Sequence, residues 1–214
     1  MQRHLVILVR VPQIGAVKTR LAAGIGRLAA WRFYRNTTDQ VIRRLARHGA
    51  SGGWKIWLAV TPEAVAGGTG FWPASIQGQQ LGRIGQGRGN IGQRMAKPML
   101  DLPPGPVVVI GSDIPEIQAR HIKNAFVALE KKQVVLGPAA DGGYWLVGLR
   151  RRPCPPGRLR PALFGQVRWS TAHALEDTLA GLDRRYSVAH IDRLQDVDDQ
   201  ADYDDWRLRP RRPA

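Results

Sequence analysis

Short apolar runs along this chain alternate with longer stretches in which apolar residues recur every three or four positions. The runs at Leu5–Val9, Lys55–Val60, Val107–Ile110, Val134–Leu136, Tyr144–Leu149 and Tyr186–His190 predict strands. Most are continuously apolar, as strands covered on both faces must be. Between the first two, Leu28, Trp31, Tyr34, Thr38, Val41, Ile42 and Leu45 form one helical stripe, with Gly49 as its expected stop. "IGQRMAKPML" and "PEIQARHIKNAFVALEKK" predict two further helices, the second opening at Pro115, where a missing N–H costs nothing. "STAHALEDTLAGL" predicts another, capped by Ser or Thr ahead of Leu175 and Leu179. Strands alternating with helices predict an α/β three-layer sandwich with a mostly parallel central sheet.

The breaker segments fit one domain. "AGGTGFWPAS" and "RRPCPPGRLRP" read as surface loops, and too little chain follows the second to fold alone. We expect one domain over residues 1–206 and a flexible basic tail over 207–214. Composition adds that the 214 residues can bury a sizeable core, with 43% hydrophobic and 23% charged positions. No apolar run spans a bilayer, and the basic, apolar start "MQRHLVILVRVP" lacks a small-residue cleavage site, so a cytoplasmic protein is expected. The single cysteine, Cys154, has no internal partner.

Charge changes the picture more. The formal net charge is +15, carried by 26 Arg and 6 Lys, which favours anionic ligands. Yet 7 of the 17 acidic residues crowd into Asp192–Asp205. A nucleic-acid-binding protein without catalysis therefore ranks below a nucleotide-using enzyme. It predicts binding lost at raised salt and untouched by Asp113→Ala.

In an open parallel sheet, ligands lie at the carboxyl ends of the strands, so the polar residues after apolar runs are the candidates. The first set is the loop "VPQIGAVKTRL", with Gly15, Lys18, Thr19 and Arg20. It reads as a phosphate clamp, or else as a solvated basic loop. A Walker A loop is excluded, because Val17 and not Gly precedes Lys18. The second is "VVVIGSDIPEI", where Asp113 three residues past a strand suits Mg²⁺, and where Ser112 or Asp113 equally suits a helix cap. The third is "VLGPAADGGYWLVGL". Asp141-Gly142-Gly143 marks a tight turn, and its sharper reading makes Asp141 catalytic, with glycines that let a substrate approach the backbone. In the Asp cluster, Asp196 or Asp198 is the candidate second metal ligand; the plainer reading is a solvated loop and helix start. "GRGNIG", Gly87–Gly92, matches G-x-G-x-x-G, but the segment before it is too polar for the buried first strand of a dinucleotide fold. The five histidines share no metal spacing.

In order along the chain, "VPQIGAVKTRL", "GNIGQRM", "IGSDIP", "GPAADGGYWLVGL", "LFGQVRWST" and "DVDD" resemble a bacterial glycosyltransferase family of GT-A fold. Its members are often called nucleotide-diphospho-sugar transferases associated with radical-SAM proteins. Two positions depart from its pattern: Ile91 stands in place of Leu, and Asp199 where Thr is common. The resemblance implies a GT-A-like fold and a metal-dependent transferase using a nucleotide-diphospho-sugar. It implies nucleotide contacts at Gly15, Lys18, Thr19, Arg20, Arg94, Gly111 and Ser112. Acceptor contacts fall at Gly142, Gly143 and Tyr144, catalytic roles at Lys18 and Asp141, and Mg²⁺ or Mn²⁺ at Asp113 and Asp198. The pattern extends more loosely to guanylyltransferases that activate a phosphorylated small acid, which leaves nucleotidyl transfer as the alternative. The partners implied are a nucleotide or nucleotide-sugar and a small-molecule acceptor. The sequence does not show the oligomeric state; an exposed Trp72 or Trp206 would mark an interface.

Overall fold

A computed structural model describes residues 1–67, 81–151, 163–182 and 186–209. Its seven strands are β1 (Arg3–Arg10), β2 (Trp54–Thr61), β3 (Gly82–Gly85), β4 (Val107–Ile110), β5 (Val134–Pro138), β6 (Tyr144–Leu149) and β7 (Val188–His190). They form one sheet in the order β3-β2-β1-β4-β6-β5-β7. All run parallel except β6, which is antiparallel to β4 and β5. The helices are α1 (Thr19–Ile25), α2 (Arg27–Gly52), α3 (Ile91–Asp101), α4 (Ala119–Lys131), α5 (Ala174–Leu182) and α6 (Gln200–Leu208). Among the described residues no helix is long and apolar enough to cross a membrane.

Alternation along the strands builds the three layers. Leu5, Ile7 and Val9 of β1 face Val41, Ile42 and Leu45 of α2 and Ile122, Phe126 and Leu129 of α4. Val6 points the other way, into a core with Met95 and Met99 of α3 and Leu182 of α5. Side chains as completely buried as Leu5, Ile7 and Phe126 each contribute about 1.5–3 kcal/mol. A third cluster docks α6 on the first helices, where Leu21, Ala30, Phe33 and Val197 meet the partly buried Tyr203 and Trp206. Trp206 meets Phe33 edge-on at 5.1 Å, so it serves this packing. Trp72, Cys154 and most of both predicted surface loops lie outside the described residues.

Several boundaries differ from expectation for identifiable reasons. The stripe on α2 omits Leu28, which is 46% exposed. The helix runs past Gly49 to Gly52, where the left-handed Gly53 caps it by donating to the Gly49 carbonyl. The helix expected from Pro115 starts at Ala119. Before it, Ile114 and Ile117 are buried in a turn whose Pro115 and Ile117 carbonyls accept from Arg44, and a Gln118–His121 capping box then opens α4. β3 was not expected from its Gly-rich sequence; it is a half-buried edge strand paired only to β2. At the end of the described residues α6 extends to Leu208, and Arg209 pairs with Glu116 and Asp205; the rest of the expected tail lies outside the described residues.

Candidate active site

β1 and β4 are neighbours, yet the chain runs from them toward opposite edges of the sheet, from β1 to β2 and from β4 to β5. This switch point opens a crevice at the carboxyl edge, the usual ligand position in such sheets. Because β6 runs backward, its first residue, Tyr144, lies at that same edge. After β7 the chain returns along it through a bridge between Ala139 and Leu194, which brings the Asp cluster to the crevice.

The first loop is held open by the scaffold. Arg10 Nη1 donates to the Ala16 carbonyl and Trp31 Nε1 to that of Pro12. Tyr34 Oη bonds both backbone groups of Arg10, each at 2.9 Å, and lies 3.5 Å from Ser112 Oγ. Burial raises the Tyr34 pKa, so this brace stays protonated. Gln86 donates to the carbonyls of Val9 and Ala59, tying the ends of β1 and β2 together.

At the end of the loop Lys18 takes a left-handed conformation, φ 48°, uncommon for a residue with a Cβ. That turn points its side chain inward, where only 5% of it is exposed. Its ammonium bridges two carboxylates, Asp113 Oδ2 at 2.8 Å and Asp198 Oδ1 at 2.7 Å. Burial pulls the Lys18 pKa down, but the two carboxylates outweigh it and hold it above the ordinary lysine value. Arg20 pairs with the other oxygen of Asp198. Burial opposes charge on Asp198 too, yet Lys18 and Arg20 prevail and its pKa is lowered. Asp196 fares differently. Burial, then Asp198, then Asp113 and Asp141 push its pKa up to about 7 against the pull of Lys18.

A cleft of about 370 Å³ opens over this cluster. Arg10, Lys18, Arg20 and Arg94 line it, opposed by Asp113 and Asp198. Thr19, Gly111 and Ser112 also line it, although Ser112 is buried against Tyr34. Arg94 extends from the first turn of α3, and its Nε donates to the Gly89 carbonyl. Gly15 stands outside the cleft, as a turn residue at φ 81°. "GRGNIG" does lie between a strand and a helix, but the strand is the half-buried edge β3, and Asn90 and Gln93 form the capping box of α3.

Of the third set, Asp141, Gly143 and Tyr144 line an adjoining cavity together with Asp196. Asp141 Oδ1 accepts the Gly143 N–H at 2.9 Å. Gly142 does not line it. At φ 85° its backbone lies so close to the Ala172 carbonyl that an added Cβ would fall 2.1 Å from that oxygen. The sequence reading missed Tyr34 and Trp169 as site residues, because Tyr34 belongs to an apolar helical stripe and Trp169 carries no local signal of a cavity wall.

A divalent cation fits this donor set. Mg²⁺ or Mn²⁺ needs only one or two carboxylates, with water and phosphate oxygens completing the shell. Asp113 and Asp198 already share a cationic group, the Lys18 ammonium, between them. Among the described residues no group of three His, Cys, Asp or Glu forms a ready metal cage.

The fold recurs in solved structures. One named "putative nucleotide-diphospho-sugar transferase", from Desulfovibrio desulfuricans G20, matches with a TM-score of 0.77 at 28% identity, over 93% of this chain and 84% of that one. CMP:2-keto-3-deoxy-manno-octonic acid synthetase in complex with CTP matches at 0.56 and 13%, over 97% of each chain. Rv0371c of Mycobacterium tuberculosis H37Rv, in complex with manganese, matches at 0.52 and 15%, again over 97% of each. The last two likenesses are of fold alone, and all three agree with a GT-A-like sandwich. No curated protein matches the sequence. Residues 44–171 match the family model described as "Uncharacterized protein conserved in bacteria (DUF2064)", and the chain belongs to that family.

Proposed function

We propose that this protein is a metal-dependent transferase that binds the diphosphate of a nucleotide-diphospho-sugar in the cation-lined cleft and passes the sugar to a small acceptor. The observation that carries this reading is the Lys18–Asp113–Asp198 cluster at the switch point, surrounded by Arg10, Arg20 and Arg94. Arginines can grip two phosphate oxygens at once, and Lys18 adds a point charge. The likeness to the Desulfovibrio protein supports the same donor class.

Asp113 and Asp198 would hold the cation, which when bound neutralises charge on the departing diphosphate. Arg20 and Arg94 orient that diphosphate, and Lys18, bridging the two carboxylates, holds them together at the mouth of the site. Asp141, fixed by its bond to the Gly143 N–H, faces the acceptor side and takes the hydroxyl proton there.

Four cations in one cleft also suit a triphosphate, and the fold is shared with a synthetase solved with CTP. Nucleotidyl transfer is therefore the second reading. Phosphorus NMR separates the two. With Mn²⁺ replaced by Mg²⁺ to avoid broadening, the first reading predicts slow release of nucleoside diphosphate from a nucleotide-sugar. Pyrophosphate release from a nucleoside triphosphate would select the second, and neither release from any base tested would overturn both.

A further inference from the structure

The cavity beside the nucleotide cleft differs from it in both size and charge. It measures about 210 Å³ and shares Leu8, Ile91, Gly111 and Asp113 with the cleft. An apolar cavity of about 150 Å³ suffices for benzene, so this one has room for a single ring and its substituent. Its walls are Met95, Val109, Val147, Tyr144 and Trp169. The two aromatic rings meet edge to face at 6.2 Å. Trp169 lies across the start of α3, where a Cβ on Gly92 would fall 2.4 Å from its indole, so its position is fixed by packing. Burial keeps the Tyr144 hydroxyl protonated; it accepts from Thr178, away from the sheet edge.

Every charged residue lining the cavity among those described is an aspartate: Asp113, Asp141 and Asp196. The neighbouring cleft has four cations to two carboxylates. A phosphate or carboxylate placed in the cavity would meet Asp141 and Asp196 with no cation among the described lining residues, since Lys18 lies outside the lining and is paired to Asp113, an arrangement that interfaces reject.

We propose that this cavity binds the acceptor, and that the acceptor is an uncharged hydroxyl compound with a ring-sized apolar body, not a phosphorylated acid. This rests on the reading of the first cleft as the donor site. In the transfer, the acceptor oxygen bonds to the anomeric carbon as the bond from that carbon to the diphosphate oxygen breaks. The bonding pair leaves with the diphosphate, and the hydroxyl proton passes to Asp141.

The test is saturation-transfer NMR on the full chain with three probes, benzyl alcohol, benzyl phosphate and benzylamine. Inorganic pyrophosphate fills the first cleft throughout. Two variants mark the cavity: Trp169→Ala removes a wall, and Ala174→Leu narrows the space without removing packing. The proposal predicts that benzyl alcohol binds at least about tenfold tighter than benzyl phosphate, and that both variants abolish its signal. It is overturned if benzyl alcohol gives no signal or keeps it in both variants. It is equally overturned if benzyl phosphate or benzylamine is preferred in a way the variants abolish. The donor reading fails separately, by absence of metal-dependent stabilisation by any nucleotide-sugar in wild-type samples prepared without pyrophosphate.

Discussion

Lys18→Met removes the ammonium between Asp113 and Asp198 and keeps most of the buried stem. The cost follows from what is left behind. Breaking a fully buried ion pair costs about 3–5 kcal/mol, because one charge stays uncompensated. Here the Asp113 and Asp198 side chains are 35% and 27% exposed, so water screens part of the loss and about 2 kcal/mol is expected. For a chain of this size that lowers Tm by about 4–8 °C. The carboxylates freed in the variant form a better site for a divalent cation. Thermal unfolding in EDTA and in Mn²⁺ should therefore show the deficit in EDTA and its recovery in Mn²⁺. Nucleotide affinity should fall at the same time by about 1–3 kcal/mol, as for a lost charge-assisted bond. An unchanged Tm in EDTA would refute the bridging role. So would a Lys18→Met/Asp198→Asn double variant whose loss equals the sum of the two singles, since bridged partners must be non-additive.

Three other outcomes follow from the same geometry. Asp113→Asn should abolish metal-dependent stabilisation by nucleotide while leaving the fold intact, read by thermal shift with and without Mn²⁺. Gly142→Ala should destabilise by about 2–4 kcal/mol in denaturant unfolding, since it adds both strain at φ 85° and an overlap with the Ala172 carbonyl. His4 and His121 are buried with pKa values lowered first by burial, and each accepts a hydrogen bond at Nδ1, from Trp57 Nε1 and the Gln118 N–H. The folded state thus takes up these protons later than the unfolded chain does. Their stabilising contribution is complete above the ordinary histidine pKa of about 6.5 and is lost as pH falls through that value toward the lowered ones. Asp196, raised to about 7, acts in the opposite sense over the same interval, so the histidine effect is read as a difference: as pH falls, Tm should decline less, or rise more, in His121→Gln than in the wild type.

The sheet was legible because its buried strands are continuously apolar, and β4 and β6 fall where the pattern put them. β3 was not, since Gly82–Gly85 has only Ile84 to pack against the core and its glycines leave no strand pattern in the sequence. Lys18, Asp113 and Asp198 were legible one by one, as polar residues after apolar runs. Their meeting was implied by the family resemblance and not by local pattern, because it depends on the return of the chain after β7 and on the left-handed turn at Lys18, neither of which has a local signal. Gly142 shows the opposite limit. Its neighbours Asp141 and Gly143 mark a turn that the sequence announces, but only the fold reveals that the glycine is there to admit the Ala172 carbonyl.

The central claim is that the cation-lined cleft holds a nucleotide diphosphate together with a metal. It is tested most directly by a thermal-shift screen of nucleotide-sugars, nucleoside diphosphates and triphosphates, each with and without Mn²⁺. Any ligand that binds only the folded state raises the midpoint. The account predicts a rise for one nucleotide-sugar and its diphosphate that requires Mn²⁺ and disappears in Asp113→Asn. No rise with any of them, or one indifferent to both metal and Asp113, would contradict it.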